Sequence, residues 1–396
     1  MPLNFWLSLK IPSTSFLSTD QYLGKVWLHK WISRFIVLAS TLHSIGFLGK
    51  WIKEGTLQNA FAFKNFLGLV TFVGFFFSVF ISLKPIRRKF YSWFYSIHLA
   101  IGYLSLILLE IHSRPGITLF TLINVGVVIY SVVLKFLYTY ETEINVLSQD
   151  ESLLQLIKIS APFDDTINQG CHIRIGLFQK LNPLHYLTTS HPYTLIQTQT
   201  NEMVLIVKKT NFEFIKEQKY TIFGPFNSSI PPDFDHNVKN LLLVSGGSGL
   251  SFNLPNYLKY FRNKSINLKL IWIVRNIKDL WILKEFGIDY NETIHSKKIE
   301  IFITQSQTGL LEDDETEVGL MNDIEMPTIE PDLTKSRVNF QRPNLYRIVS
   351  DFFNNNPNST STSDYLIGCG PERLNNELQF LGEQNQVKVI SELYEM

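Results

Sequence analysis

The sequence predicts a chain of three parts: an α-helical transmembrane bundle, an antiparallel β-barrel and an α/β doubly wound parallel sheet. Three observations carry this. Four long apolar stretches fall within the first 140 residues, each of about the length a bilayer core demands. From about 141 to 230 there follow short runs of alternating polarity separated by turn residues, as antiparallel strands require. From 238 onward the apolar runs become continuous, with helical stretches between some of them, which fits strands covered on both faces.

Composition agrees with a membrane part followed by a soluble one. Apolar residues make up 45% of the 396 positions, and Phe alone supplies 31, concentrated in the first third. With 36 basic against 35 acidic side chains, there is no electrostatic case for nucleic-acid binding. Cys171 and Cys369 are the only cysteines, which excludes a disulfide framework and cysteine-based zinc or iron–sulfur centres. Such usage suits a reducing compartment for the soluble part.

Residues 1–24 hold a short apolar patch around Phe5, Trp6, Leu7 and Leu9, then Pro12 and a Ser/Thr-rich stretch. This is too short to span, and no signal peptide is expected here. The transmembrane domain is expected over 25–140, with spans at 31–48, 61–83, 90–112 and 117–138. Lys84, Arg87, Arg88 and Lys89 place four cations within six residues, so this loop is expected in the cytosol. Alternation then returns the chain to the cytosol after Tyr138.

The most informative pattern is a histidine spacing that occurs twice. His29 and His43 are fourteen residues apart, and so are His98 and His112. On a helix fourteen steps return to within about 40° of the starting face and climb about 21 Å. Two such helices side by side would face His29 to His98 and His43 to His112, making two stacked bis-imidazole sites, as two b-type haems require. A lone histidine in a span is ordinarily helix glue; two matching spacings point to ligation.

In the soluble part, strands are expected at Leu156–Ile159, His172–Leu177, Tyr193–Thr198 and Met203–Val207 of a barrel over 141–236. Parallel strands are expected at Leu241–Val244, Leu268–Val274, Ile299–Thr304, Tyr365–Ile367 and Val387–Ile390 of a domain over 237–396. An acidic insertion occupies 305–340, with nine carboxylates and no Lys or Arg between Glu312 and Asp332; this block reads as a solvated loop. Gly246, Gly247, Ser248 and Gly249 follow the first parallel strand, where glycines let the backbone approach a pyrophosphate at a helix N-terminus. Gly368, Cys369, Gly370 and Pro371 follow another strand of that sheet, so both loops converge on its carboxyl edge. His191, Pro192, Tyr193 and Thr194 precede a barrel strand, and Gly224, Pro225 and Phe226 read as a turn at the barrel's end.

These pieces, in this order, resemble the ferric reductase and NADPH oxidase superfamily of flavocytochromes over nearly the whole chain, with details similar to fungal yeast-type metalloreductase-like members. The resemblance implies a ferredoxin-reductase-like FAD barrel, an NADPH domain, and haem ligation by His29, His43, His98 and His112. His191, Pro192, Tyr193 and Thr194 are similar to the family's His-Pro-Phe-Thr flavin motif, and Gly224-Pro225-Phe226 to its Gly-Pro-Tyr-Gly turn. Gly246–Gly249 resembles the NADPH loop and Gly368–Pro371 the Cys-Gly-Pro loop beside the nicotinamide. Arg275 stands where the family reads the 2'-phosphate, and Tyr394 where relatives place an aromatic over the flavin. Cys369 and Thr194 are then expected near hydride transfer. Three departures stand out: this sequence begins almost at the first haem helix, Asn227 replaces the last Gly of the flavin turn, and Gln341 precedes Arg342-Pro343 where Gly is usual.

The implied activity is a relay from cytosolic NADPH through FAD and two b-type haems to ferric or cupric chelates, at the plasma membrane or endoplasmic reticulum. Dioxygen as acceptor, giving superoxide, is the alternative. A non-catalytic membrane interaction subunit with a vestigial reductase domain is the other. No protein partner is legible; the bilayer and the acceptor are the expected partners.

Overall fold

The computed structural model describes residues 1–13, 15, 22–113, 118–160, 163, 170–198, 202–209, 214–215, 218–231, 234, 238–288, 298–304, 338–354 and 363–393. Tyr394 and most of the acidic insertion, 305–337, lie outside the described residues.

The bundle consists of α1 (Pro2–Leu7), α2 (Tyr22–Lys53), α3 (Phe63–Ile81), α4 (Lys84–Lys89), α5 (Tyr91–His112) and α6 (Thr118–Leu137). α2, α3, α5 and α6 are long and apolar enough to cross a membrane. They turn their large apolar side chains outward: Phe35, Leu42, Val73, Phe80, Ile107 and Leu122 are all exposed. In water that surface would aggregate; in lipid it is the expected face. The helix that carries the expected span 31–48 is longer than that span. The helix runs well past the apolar stretch at both ends, where Lys25, Lys30, Lys50 and Lys53 can reach towards the interface. Arg34 inside it lies 4.9 Å from the Trp31 ring centroid.

The N-terminal patch docks on the bundle as α1. Trp6 stacks on Tyr130 of α6 with ring centroids 6.3 Å apart. The Asn4 amide donates to Ser33 Oγ at 3.0 Å, and Leu9 and Ile11 are buried with Leu134.

The second part is a seven-stranded antiparallel sheet in the order β4-β3-β7-β1-β2-β6-β5. Its strands are β1 (Thr139–Ser148), β2 (Leu154–Ile159), β3 (His172–Gly176), β4 (His191–Thr194), β5 (Ile196–Gln197), β6 (Met203–Lys208) and β7 (Lys219–Phe226). β1 pairs with β7 through residues 139–143 and with β2 through 144–148. The two end strands, β4 and β5, are nearly continuous in sequence, which curls the sheet into a barrel around Ile157, Ile173, Ile175, Leu205 and Ile222.

Gly224-Pro225-Phe226, expected as a turn, instead ends strand β7. The register with β3 shifts between His172 and Arg174, opposite these residues. Proline cannot donate to the ladder and Gly224 takes φ +139, so the chain accommodates the pair as a strand irregularity rather than a reversal.

The third part is a six-stranded parallel sheet, order β11-β10-β9-β8-β12-β13. Its strands are β8 (Asn240–Gly246), β9 (Asn267–Val274), β10 (Ile299–Ile303), β11 (Val338–Asn339), β12 (Asp364–Gly370) and β13 (Lys388–Leu393). The helices are α8 (Leu250–Tyr260), α9 (Trp281–Glu285), α10 (Leu345–Asn354) and α11 (Glu372–Gln384), after a single-turn α7 (Leu184–Leu187) in the barrel. Alternate strand residues feed separate cores: Leu241, Leu243 and Trp272 one, Leu242, Val244 and Phe302 the other. That is why the runs are continuously apolar.

Barrel and sheet share the first core, since Leu154, Leu156, Val204 and Ile206 belong to it. The buried Asp279 carboxylate locks them together. It accepts from Ser152 Oγ at 2.7 Å, Leu153 N at 2.7 Å and Leu154 N at 3.1 Å. An exposed pair joins sheet to bundle: Lys84 Nζ and Arg88 Nη2 each lie 2.9 Å from Glu372 Oε2 at the start of α11.

Candidate functional site

Helices α2 and α5 bring the four bundle histidines together in two tiers. His29 and His98 stand with ring centroids 6.3 Å apart and planes at 73°. His43 and His112 repeat the separation, 6.3 Å, with planes at 85°. A metal–imidazole bond of about 2 Å plus roughly 1.2 Å from nitrogen to ring centre, counted twice, makes about 6.4 Å. Each gap is therefore the width that one metal ion bridged by two imidazoles takes.

Hydrogen bonds orient two of the rings. His29 Nδ1 lies 3.1 Å from the Asn4 carbonyl, and His112 Nδ1 lies 2.8 Å from the Lys64 carbonyl. A carbonyl can only accept, so Nδ1 carries the proton and Nε2 keeps its lone pair for a metal. His98 Nδ1 is buried without a hydrogen-bond partner among the described residues. Gly68 on α3 makes room for His112: a Cβ there would stand 2.5 Å from His112 Cε1.

At the sheet's carboxyl edge the chain leaves β8 towards β9, β10 and β11 and returns on β8's other side as β12, a topological switch point of the kind where open α/β sheets bind ligands. Here the two predicted loops meet back to back. Both strands run further than expected: Gly246 ends β8, and Gly368, Cys369 and Gly370 are the last residues of β12. A Cβ on Gly249 would lie 2.3 Å from the Cys369 carbonyl oxygen and 3.3 Å from its sulfur, so only glycine lets the loops close. Gly247 holds φ +55 with open space beside it, and Ser248 completes the turn into α8. Pro371 starts α11. Arg275 is exposed one residue beyond β9.

Three supporting residues were not expected. The buried Trp272 indole donates to the Gly247 carbonyl at 3.0 Å. Asn253 Nδ2 donates to Val244 O at 3.0 Å and Ser245 Oγ at 2.8 Å. Asn375 Nδ2 donates to Gly370 O at 3.3 Å and Glu392 O at 2.8 Å. None has a local signal, because each acts on a strand end other than its own.

On the barrel, His191 and Pro192 are half-buried, while Tyr193 and Thr194 are buried. The Tyr193 ring packs in the barrel core, 5.7 Å from that of Phe214, and burial raises its phenol above the usual range. Through β3 this stretch meets the Gly224 region: His172 is opposite Thr194 and stacks on Phe226, centroids 5.2 Å apart. Burial, then the Arg174 cation, lowers His172 to about 3; the same two causes lower His191. Cys369 is fully buried.

Comparison with known proteins agrees with both ends of the chain. Residues 1–109 match the model of the ferric reductase like transmembrane component, and 238–382 match that of the ferric reductase NAD binding domain. A probable metalloreductase AIM14 of Scheffersomyces stipitis is 33% identical over 426 aligned positions, covering 100% of this chain and 79% of its own. That of Candida tropicalis is 30% identical, covering 100% and 80%. A ferredoxin NADP+ reductase of Neisseria gonorrhoeae superposes on 64% of this chain and 98% of its own, at 12% identity and a TM-score of 0.44. The chain is a membrane oxidoreductase of the ferric reductase family, similar to the probable metalloreductases AIM14 of these yeasts.

Proposed function

We propose that the chain is a transmembrane metalloreductase, taking electrons from cytosolic NADPH and delivering them to ferric or cupric ions across the membrane, with FAD and two b-type haems as resident groups. The observation that carries this is the pair of equal 6.3 Å imidazole separations on helices long and apolar enough to cross a membrane. Among the described residues no group of three or more His, Cys, Asp or Glu side chains is placed to hold a metal ion. Two protein ligands per metal is the donor set of a haem.

His29 and His98 would hold the inner haem, His43 and His112 the outer. FAD would sit against His191, Pro192, Tyr193, Thr194, Gly224 and Pro225. NADPH would lie on Gly246–Gly249, with Arg275 at its 2'-phosphate and Gly368–Pro371 near the nicotinamide. When bound, FAD converts a two-electron hydride donor into single electrons, and haem iron carries single electrons. The chain's own work is positional. Trp272 and Asn253 fix the β8 end for a phosphate, Asn375 fixes the β12 end, and the carbonyls of Asn4 and Lys64 set the imidazole tautomers. The cations of α4 support a cytosolic soluble part, since basic loops favour that side.

The test is a proteoliposome with NADPH and FAD outside and a ferric chelate with an Fe(II) indicator inside, run without oxygen. Wild type is expected to produce Fe(II) inside, and His43→Ala to abolish it. Superoxide formation in an aerobic repeat, with no anaerobic metal reduction, would make the chain an oxidase; no NADPH oxidation in either would make it a non-catalytic subunit.

A further inference from the structure

The barrel's connection from β3 to β4 carries apolar side chains where a loop facing water would carry polar ones. Leu177, Leu181 and Leu184 all lie in it, and all three are exposed, Leu181 to 82%. The connection is held in shape, so these leucines are displayed by a built loop. Glu141 Oε1 accepts from the Lys180 N–H at 2.8 Å. Asn182 Oδ1 accepts from the Leu184 N–H at 3.0 Å, and the Asn182 carbonyl accepts from the His185 N–H at 2.9 Å at the start of α7.

Two sets of contacts fix the level at which they are displayed. Thr189 Oγ1 lies 3.3 Å from Ser92 Oγ in the first turn of α5. Lys180 Nζ lies 4.4 Å from the ring centroid of Phe136 in the last turn of α6. Lys135, in that same turn, donates to the His185 carbonyl and faces the Tyr186 ring. Both turns end helices long and apolar enough to cross a membrane, and both present apolar surface outward, since Trp93, Phe136 and Leu137 are exposed. Aromatic rings and lysines gathered at span ends are the side chains of a membrane–water interface. The apolar surface of the loop thus adjoins the lipid-facing surface of the spans. We propose that Leu177, Leu181 and Leu184 enter the bilayer on this side, so that the barrel itself binds the lipid surface beside the bundle. Leucines on a rigid loop bury apolar area at the headgroup boundary as an interfacial helix does, while Lys180 keeps its ammonium at the polar level. Because the loop leads directly into β4, the same contact fixes the height of that strand over the His29–His98 pair.

The experiment places one fluorophore at a time on the full-length chain in nanodiscs of phosphatidylcholine, one chain per disc. Cys171 and Cys369 are both buried, so a new surface cysteine labels selectively. Leu177→Cys, Leu181→Cys and Leu184→Cys each carry the environment-sensitive dye nitrobenzoxadiazole. Tyr346→Cys, at an exposed position on α10 of the parallel sheet, is the control, and circular dichroism checks the fold of every variant. Two quenchers are compared: iodide in the water, and a nitroxide on the lipid acyl chain near the headgroup. At the leucine positions emission is expected to shift to shorter wavelength than at Tyr346, to lose iodide quenching and to be quenched by the nitroxide lipid. Iodide quenching there as strong as at Tyr346, with none from the nitroxide lipid, would overturn the proposal. Protection from iodide without nitroxide quenching would also overturn it, because protein and not lipid would then cover the loop. The readout uses no NADPH and no electron acceptor, so its outcome is independent of the relay.

Discussion

His112 closes on His43 with ring centroids 6.3 Å apart, and it does so from a seat on α3. Its Nδ1 is anchored to the Lys64 carbonyl at 2.8 Å, and its ring fills the place where Gly68 lacks a Cβ. The His43–His112 pair therefore depends on a helix that contributes no histidine to it.

Gly68→Ala is expected to displace His112, because its Cβ would stand 2.5 Å from Cε1. Overpacking of this kind costs about 1–3 kcal/mol. Haem per chain should fall from two towards one. Gly74→Ala, whose Cβ would meet Ile101 at an ordinary 3.4 Å, should retain both. Pyridine haemochrome quantification decides between these outcomes, and equal haem in the two variants would refute the account of the seat.

Asp279→Ala removes the acceptor of three hydrogen bonds that join barrel to sheet. Hydrogen bonds to a charged group contribute about 1.5–3 kcal/mol each, and their donors would be left buried. A loss of about 2–4 kcal/mol is expected in denaturant unfolding of the soluble part, followed by tryptophan fluorescence in detergent. Asp279→Asn, which keeps an acceptor, should lose less.

Trp272→Phe keeps an aromatic ring at this buried position, though a smaller one, and removes the N–H that holds the Gly247 carbonyl. Loss of one such bond is about 1 kcal/mol. KM for NADPH should rise about fivefold with kcat little changed. A fall in kcat at constant KM would place Trp272 in the chemistry instead of the loop.

Acid should destabilise the barrel through His172. Burial lowers this imidazole to about 3 in the folded chain, whereas the unfolded chain titrates near 6.5. Between those values the unfolded state binds the extra proton, so stability falls as pH drops, by about 1.4 kcal/mol per pH unit. About 2 kcal/mol should be gone at pH 5. Unfolding midpoints from pH 7 to 5 measure this, and His172→Phe should flatten the slope.

Element type was largely legible in the sequence and element extent was not. The spans and parallel strands declared themselves because lipid and a two-faced sheet both demand unbroken apolar runs. Helix α1 did not: the patch around Trp6 is six residues long and is ordered by Tyr130 and Ser33, remote in sequence. Strand β1 escaped because Thr139–Ser148 carries Glu141 and Glu143 among its apolar positions and divides its pairing between two partners. Gly224-Pro225 signals a reversal locally, and only pairing with β1 and β3 makes it a strand end. The loop glycines and four bundle histidines were readable because backbone approach and helical spacing leave local traces. Trp272 and Asn375 leave none, since their partners come from other elements.

The most direct test of the central claim is a dithionite-reduced minus oxidised optical spectrum of the purified chain, with haem counted per chain in wild type, His29→Ala and His43→Ala. Two b-type haems are expected in wild type, and the loss of one in each variant. A chain that binds FAD but shows no haem spectrum, or whose haem survives both substitutions, would contradict it.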